Sequence, residues 1–127
     1  MGSFRWNAVC IDCGLDELPR VVSFYRDLLG LEVVEEEPRW VALRDPSGGM
    51  GINVQVEEPY VAPTWPDAAG VPAKMMHFEI EVADVLSAVS AAIALGAREA
   101  SPQPGDRDPA TLRVMLDPAG HPFCLWS

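Results

Sequence analysis

The sequence lacks features that would assign it to a membrane or nucleic-acid class. No apolar run in its 127 residues reaches the roughly 20 residues that cross a bilayer, and no basic, apolar leader opens it. Positive charge is also scarce, with 9 Lys and Arg against 19 Asp and Glu, a net charge of −10. Such an acidic chain disfavours nucleic acid and anionic membranes as partners. We therefore expect about one ordinary cytoplasmic domain.

Cysteine and histidine are few as well. The three cysteines are an odd number, which favours reduced thiols in a reducing compartment. Cys10 and Cys13 spell C-x-x-C near the end of a predicted strand, where side chains three apart point to opposite faces. We expect two independent buried thiols there, not a redox or zinc motif. Of the two histidines, His121 lies in a predicted turn, where a structural role is expected.

What the sequence does contain is one pattern written twice. A strand near Ala8 is followed by a helical stretch ending at Gly30, then strands and an Asp-Pro-Ser-Gly turn at 45–48. The second copy has a strand from His77 to Val82, a helical stretch ending at Gly96, and an Asp-Pro-Ala-Gly turn at 117–120. The pattern predicts an internal duplication.

The duplication sets the predicted boundaries. We place the first module at 1–57, a proline-rich connector at 58–73 and the second module at 74–127, with extra residues in the second copy near 101–110. Within the connector, Tyr60 and Trp65 are either anchors along a sheet edge or a lid over a ligand.

Helix boundaries can be predicted from capping residues. Asp16 or a neighbour is expected to cap the first helix, with Pro19 in its first turn and Gly30 at its end. Asp84 is expected to cap the second helix, and Gly96 to end it.

Alternation along the strands predicts which side chains share a face. In the strand of residues 51–57, the apolar side chains alternate with Asn53, Gln55 and Glu57. The same parity sets His77, Glu79 and Glu81 opposite Phe78, Ile80 and Val82, and Cys124 and Trp126 opposite Phe123 and Leu125. The polar faces are either plain surface or the lining of a cleft. If they line a cleft, the predicted ligand-binding set is His77, Glu79, Asn53, Gln55, Cys124 and Trp126, with Trp40 or Trp65 nearby.

These features resemble a known superfamily. Phe24-Tyr25 before Leu29-Gly30-Leu31, and the ending Asp117–Trp126, are similar to the vicinal oxygen chelate (VOC) superfamily. This superfamily includes glyoxalase I, extradiol dioxygenases, fosfomycin-resistance enzymes and bleomycin-resistance proteins. The phrases Val9–Cys13, Arg39–Leu43 and Pro63–Pro66 are most similar to its small actinobacterial glyoxalase-like members. The resemblance implies an α+β fold, in which two βαβββ modules form curved mixed sheets around a cleft, and a homodimer.

The resemblance also implies where metal ligands would lie. The superfamily takes them from the first and last strand of each module, normally as His or Gln, Glu, His and Glu. On this chain those positions fall on Ala8, Asn53, His77 and Cys124. This set has no carboxylate and is poor for Mg, Mn or Fe, so we predict no cofactor and no catalytic transition metal. His77 and Cys124 would hold zinc or copper only if Glu79 or His121 added a donor.

Two functions from different classes follow. The first is a binding protein that takes a small hydrophobic or cationic organic molecule in the cleft without a catalytic metal. The alternative is a metal-dependent lyase, isomerase or dioxygenase with an altered ligand set. The residues at the ligand positions favour the first, while His77 is either a cleft-facing functional group or a hydrogen-bonded structural histidine.

Overall fold

The computed structural model describes residues 3–127 as an α+β chain that forms two units. The first unit runs to Tyr60, and the second comprises Val61–Ser127. The division falls inside the stretch 58–73 that the sequence marks as a connector. Among the described residues, no helix has both the length and the apolar character needed to span a bilayer.

The first unit is a four-stranded mixed sheet with one helix. Its elements are β1 (Ala8–Cys13), a 3₁₀ turn (Leu15–Glu17), α1 (Leu18–Leu29), β2 (Glu32–Glu37), β3 (Trp40–Arg44) and β4 (Gly51–Val56). The strand order is β1-β4-β3-β2, with β1 parallel to β4 and the other pairs antiparallel. The core lies between α1 and the sheet, where Phe24 and Tyr25 are fully buried and meet edge to face, with ring centroids 4.9 Å apart.

The second unit repeats this topology. Its elements are β5 (Phe78–Glu81), α2 (Val85–Ala94), β6 (Arg98–Glu99), β7 (Leu112–Leu116) and β8 (Pro122–Trp126). The strand order β5-β8-β7-β6, with β5 parallel to β8, is the order of the first sheet. The predicted α+β class of two βαβββ modules is therefore confirmed.

The helix ends follow backbone chemistry. Asp84 caps α2 as predicted, because its carboxylate accepts a hydrogen bond from the backbone N–H of Ser87. Gly30 ends α1 in the left-handed conformation (φ 67°), which glycine adopts without steric cost. The cap of α1 falls on a neighbour of Asp16, which the prediction included. Asp16 lies inside the 3₁₀ turn, and Glu17 occupies the cap position, with its carboxylate turned back to the N–H of Gly14.

The two predicted Asp-Pro turns are built alike. In each, the glycine N–H donates to the carbonyl of the first aspartate, at 3.0 Å for Gly48 and 2.9 Å for Gly120. The aspartate side chain also accepts a backbone N–H two residues on, as Asp45 does from Ser47 and Asp117 from Ala119. Asp117 is buried and accepts a second bond from the N–H of His121, so the backbone of His121 helps to close the turn.

Strand parity holds, but the prediction for one cysteine is wrong. In β4, Ile52, Val54 and Val56 are buried, and the side chains between them are half-buried. Cys13 is fully buried, whereas Cys10 is exposed, and neither forms a disulfide. Cys10 is exposed because it points away from the helix-covered side of β1, an edge strand of its sheet.

Candidate functional site

The face of the second sheet that points away from its helix carries the candidate site. The parallel register sets Glu79 on β5 beside Cys124 on β8, and Val114 on β7 lies on the other side of Cys124. His77 precedes β5 by one residue and shares the face of Glu79, because side chains two apart in a strand point the same way. Local strand geometry therefore brings these groups together.

Three side chains converge at one end of this face. The imidazole Nε2 of His77 lies 2.8 Å from the Glu79 carboxylate. One ligand atom from each of His77, Glu79 and Cys124 lies within 4.8 Å of the other two. Within the described residues, this is the one group of three such side chains close enough to hold a metal ion.

The thiol of Cys124 is held in its protonated form. Cys124 is 7% exposed. This burial raises the pKa of the thiol to about 11, with a further contribution from the negative charge of Glu79, while Lys74 and Arg107 act to lower the pKa. At neutral pH the thiol is a poor nucleophile, because only the thiolate attacks. The His77–Glu79–Cys124 group is therefore not set up for cysteine nucleophilic catalysis.

A cavity of about 290 Å³ opens beside this group. Its apolar wall is formed by Trp65, Leu112 and Val114 together with Cys124, while Leu116 packs against the same cluster. The cavity lining combines this wall with charged and proline side chains, namely Trp65, Lys74, His77, Glu79, Pro104, Asp106, Arg107, Leu112, Val114, Pro122 and Cys124.

Trp65 is held in place at the cavity. Its indole N–H donates to the carbonyl oxygen of Pro102 at 2.7 Å. The ammonium of Lys74 lies 5.4 Å from the centroid of the Trp65 ring and 2.7 Å from a carboxylate oxygen of Asp67. Trp65 thus has an anchored side chain and forms part of the cavity wall.

Several cavity residues lie outside the set predicted from the sequence. Pro104, Asp106 and Arg107 come from the segment that is longer in the second copy of the repeat. That extra length was the signal that could have located them, since inserted loops often carry binding residues. Leu112 and Val114 were missed because the cleft-facing sides of the strands were predicted from their polar side chains, and these two side chains are apolar.

In the first unit, the polar side chains on the corresponding sheet face form hydrogen bonds with one another. The guanidinium of Arg44 donates to the side-chain oxygen of Asn53 at 2.7 Å, and Gln55 donates to Asp12 at 2.8 Å. Trp40, half-buried, pairs with Gln55 in the strand register. The side chains of Asn53 and Gln55 thus form hydrogen bonds within their own unit. In the second unit, Trp126 lies on β8 and is exposed, and it is not among the residues that line the cavity.

The strand registers show which positions of the two units correspond. Cys10 pairs with Asn53 as Glu79 pairs with Cys124, so Asn53 and Cys124 are equivalent. By the same comparison of β3 with β7, Arg44 corresponds to Leu116. The second unit therefore has an apolar side chain where the first has a cation.

The metal ligand set implied by the resemblance does not fit this chain. The side chain of Ala8 has no atom that can bind a metal. The side-chain oxygen of Asn53 already accepts a hydrogen bond from the guanidinium of Arg44, whose positive charge disfavours a cation at that oxygen. The transferred positions of the second unit, His77 and Cys124, do carry donors, with Glu79 beside them. Of the transferred positions, only those of the second unit carry a donor that is not hydrogen-bonded to a guanidinium.

Comparisons with known proteins identify the fold. Residues 8–126 match the model of the glyoxalase-like domain. No curated protein sequence matches the chain significantly.

Solved structures with the same fold include glyoxalase I of Leishmania major, which is trypanothione-dependent. It has a TM-score of 0.64 and 18% identity, with 98% of this chain and 87% of that one covered. Another is the fosfomycin resistance protein FosX of Listeria monocytogenes, in complex with Mn(II) and dihydroxypropylphosphonic acid. Its TM-score is 0.67 at 14% identity, covering 99% of this chain and 90% of that one. A glyoxalase family protein of Enterococcus faecalis has a TM-score of 0.62 at 20% identity, covering 98% and 97%.

At such identities the structural neighbours establish the fold alone, because this fold serves many functions. The family model covers nearly the whole chain, from the start of β1 to the last residue of β8. The protein belongs to the glyoxalase-like domain family.

Proposed function

We propose that this protein binds a small, largely apolar organic molecule in the cavity of its second unit. The observation that carries the proposal is the apolar wall of Trp65, Leu112 and Val114 beside the polar pair His77 and Glu79. Ligand sites are commonly apolar clefts with a few placed polar groups. At about 290 Å³ the cavity suits a ligand of about one or two rings.

Between the hydrophobic and the cationic ligands expected from the sequence, the charges favour the hydrophobic one. The ammonium of Lys74 already lies near the Trp65 ring, and Arg107 adds a second positive charge to the lining. The negative charges of Glu79 and Asp106 balance these two cations. A neutral molecule meets no net repulsion there, whereas a cationic group would compete with Lys74 for the ring face.

The alternative, a metal-dependent lyase, isomerase or dioxygenase, has less support. Glyoxalase I and FosX are enzymes among the structural neighbours, and the FosX structure contains Mn(II). In this chain, however, Ala8 supplies no donor and Asn53 is bonded to Arg44. Binding of an organic molecule requires no metal-binding side chain at either of these positions.

A pair of isosteric probes tests the ligand class. We expect tert-butylbenzene to bind in titration calorimetry more tightly than trimethylphenylammonium, which has the same shape and a positive charge. Tighter binding of the cationic probe would overturn the neutral-ligand assignment, and binding of neither probe at millimolar concentration would contradict the proposed function.

A substitution that places a residue of the first unit at the equivalent position of the second unit tests where the organic molecule binds. In Leu116→Arg, the guanidinium is expected to reach the Cys124 side chain, as that of Arg44 reaches Asn53. Placing a charge against the apolar wall should weaken tert-butylbenzene binding at least about tenfold, or about 1.4 kcal/mol. Arg44→Leu is the matched control and should leave the affinity unchanged, with circular dichroism confirming that both variants fold.

We also propose that the protein is a cytoplasmic homodimer. Its three cysteines are free, as suits a reducing compartment. Large apolar side chains are exposed in both units, including Phe4 at 97% and Met75 at 89%. Pairing two chains about a two-fold axis would cover exposed apolar side chains on both copies. Light scattering at micromolar concentration should give twice the chain mass, and a clean monomer mass would contradict the dimer.

A further inference from the structure

The part of the cavity that the sheet forms, here called its floor, changes from polar to apolar across three strands. Glu79 on β5 pairs with Cys124 on β8, and Cys124 pairs with Val114 on β7. All three residues line the cavity. Because adjacent strands lie about 4.8 Å apart, the two ends of this floor are roughly 10 Å apart. A ligand that follows the floor therefore meets a carboxylate at one end and apolar side chains at the other.

The carboxylate of Glu79 has one oxygen available to a ligand. The imidazole Nε2–H of His77 donates a hydrogen bond to Oε1 at 2.8 Å, which fixes the orientation of the carboxylate. Within residues 3–127, the other oxygen, Oε2, accepts no hydrogen bond. An ionised carboxylate can only accept hydrogen bonds. The ligand group that fits this end of the floor is therefore a hydrogen-bond donor.

We propose that the ligand is a neutral molecule with an apolar body and a hydroxyl group at one end, and that Glu79 selects it by accepting a hydrogen bond from this hydroxyl. The inference rests on the proposed function and names the chemical class of its ligand. It makes Glu79 the specificity-determining residue of the cavity. His77 is a positioning residue, because it acts through the carboxylate of Glu79.

The surrounding charges favour a hydroxyl over a charged group. Burial and the negative charge of Glu79 raise the pKa of the Cys124 thiol to about 11, so an anion is disfavoured at this point of the floor. A cationic donor would meet the positive charges of Lys74 and Arg107, which reach the same thiol and act to lower its pKa. A hydroxyl donates a hydrogen bond without adding a charge of either sign.

The energetic balance gives the proposal a clear sign. Burying a hydroxyl without a partner costs free energy, so an apolar wall alone prefers a methyl group to a hydroxyl of similar size. A hydrogen bond to an ionised acceptor is about twice as strong as one between neutral groups and reverses this preference. The side chain of Glu79 is 53% exposed, so water competes for its oxygen in the free protein. We therefore expect a moderate preference for the hydroxyl, of about three- to tenfold.

Two probes of nearly the same shape test the role of the hydroxyl. In titration calorimetry with the full chain, 4-tert-butylphenol should bind more tightly than 4-tert-butyltoluene, by at least about threefold. The two molecules differ only in a hydroxyl and a methyl group at the same ring position. A smaller difference, or the reverse order, would overturn the proposal.

Variants of Glu79 test which residue accepts the hydrogen bond. Glu79→Ala should reverse the order of the two probes, because the hydroxyl then loses its partner. Glu81→Ala is the matched control, since Glu81 is also exposed on the same strand and does not line the cavity. It should keep the wild-type ratio of the two affinities. An unchanged ratio in Glu79→Ala, with circular dichroism showing a folded chain, would contradict the assignment of Glu79.

The positioning role of His77 is tested by the same affinity ratio. His77→Ala should reduce the preference for 4-tert-butylphenol, and His77→Gln should restore part of it, since its side-chain amide can also donate to the carboxylate. A merely structural role would weaken both probes alike and leave the ratio unchanged, and that result would contradict the positioning role.

The hydroxyl test and the test of the proposed function fail separately. If tert-butylbenzene and 4-tert-butyltoluene bind, and 4-tert-butylphenol binds no more tightly, the cavity binds apolar molecules and only the hydroxyl inference is wrong. If none of the three binds at millimolar concentration, the proposed function itself is wrong.

Discussion

In the first unit, the polar side chains on the sheet face opposite the helix are bonded to each other, through Arg44 to Asn53 and Gln55 to Asp12. In the second unit, the equivalent face carries His77, Glu79 and Cys124 beside a cavity. The strand order and register are the same in both. The topology therefore does not decide which face becomes a site.

A few residue differences account for the contrast. In the first unit, Arg44 donates a hydrogen bond to the side-chain oxygen of Asn53. In the second unit, the equivalent Leu116 cannot donate a hydrogen bond to Cys124 and instead packs against the apolar cluster that contains it. The segment between β6 and β7 supplies Pro104 and Arg107 to the cavity, and the corresponding connection in the first unit, between β2 and β3, is a two-residue turn. A duplicated fold thus keeps its core, while side chains and one loop change the exposed face.

The largest expected effect tests whether the helix-covered faces are truly alike. Leu43 and Met115 occupy equivalent strand positions and are both fully buried. Truncating either to alanine removes buried methylene groups and leaves a cavity, so each should lower the free energy of unfolding by about 2 to 5 kcal/mol. Urea denaturation of the full chain measures both losses. A loss below about 1 kcal/mol in one variant would show that the two cores are not equivalent.

A smaller effect tests the role of the polar face in the first unit. Gln55→Ala removes the 2.8 Å hydrogen bond to Asp12 and should cost about 1 kcal/mol of stability. It should leave tert-butylbenzene binding unchanged, because Gln55 does not line the cavity. Glu81→Ala is the matched control at the position of the second unit equivalent to Asp12, with an expected change within about 0.5 kcal/mol. Weaker probe binding in Gln55→Ala would place a ligand site in the first unit.

Most of the fold could be predicted from the sequence, because its signals are local. The repeated turns, Asp84 as a helix cap and Gly30 as a helix end depend on residues within a few positions of each other. Parity along β4 follows from the two-residue period of a strand and was also predicted. The 3₁₀ turn before α1 was not predicted, and it places the cap at Glu17, next to Asp16.

The candidate site was predictable only where strand parity applies. Parity placed His77, Glu79 and Cys124 on one face, and the structure brings them together. Parity could not predict the hydrogen bond between Arg44 and Asn53, because that bond depends on the length and conformation of the arginine side chain on the adjacent strand. Nor could it place Lys74, Asp106 and Arg107, whose position depends on loop conformation.

The most direct test of the contrast between the units is chemical-shift mapping by NMR with a neutral aromatic fragment such as indole. Binding to the second unit should shift the backbone amides of Leu112, Val114 and Cys124 and the indole N–H of Trp65, all of which border the cavity. The amides of Ala42 and Asn53, on the equivalent face of the first unit, should not move. Shifts concentrated at Ala42 and Asn53, or no shifts in either unit at millimolar fragment, would contradict the account.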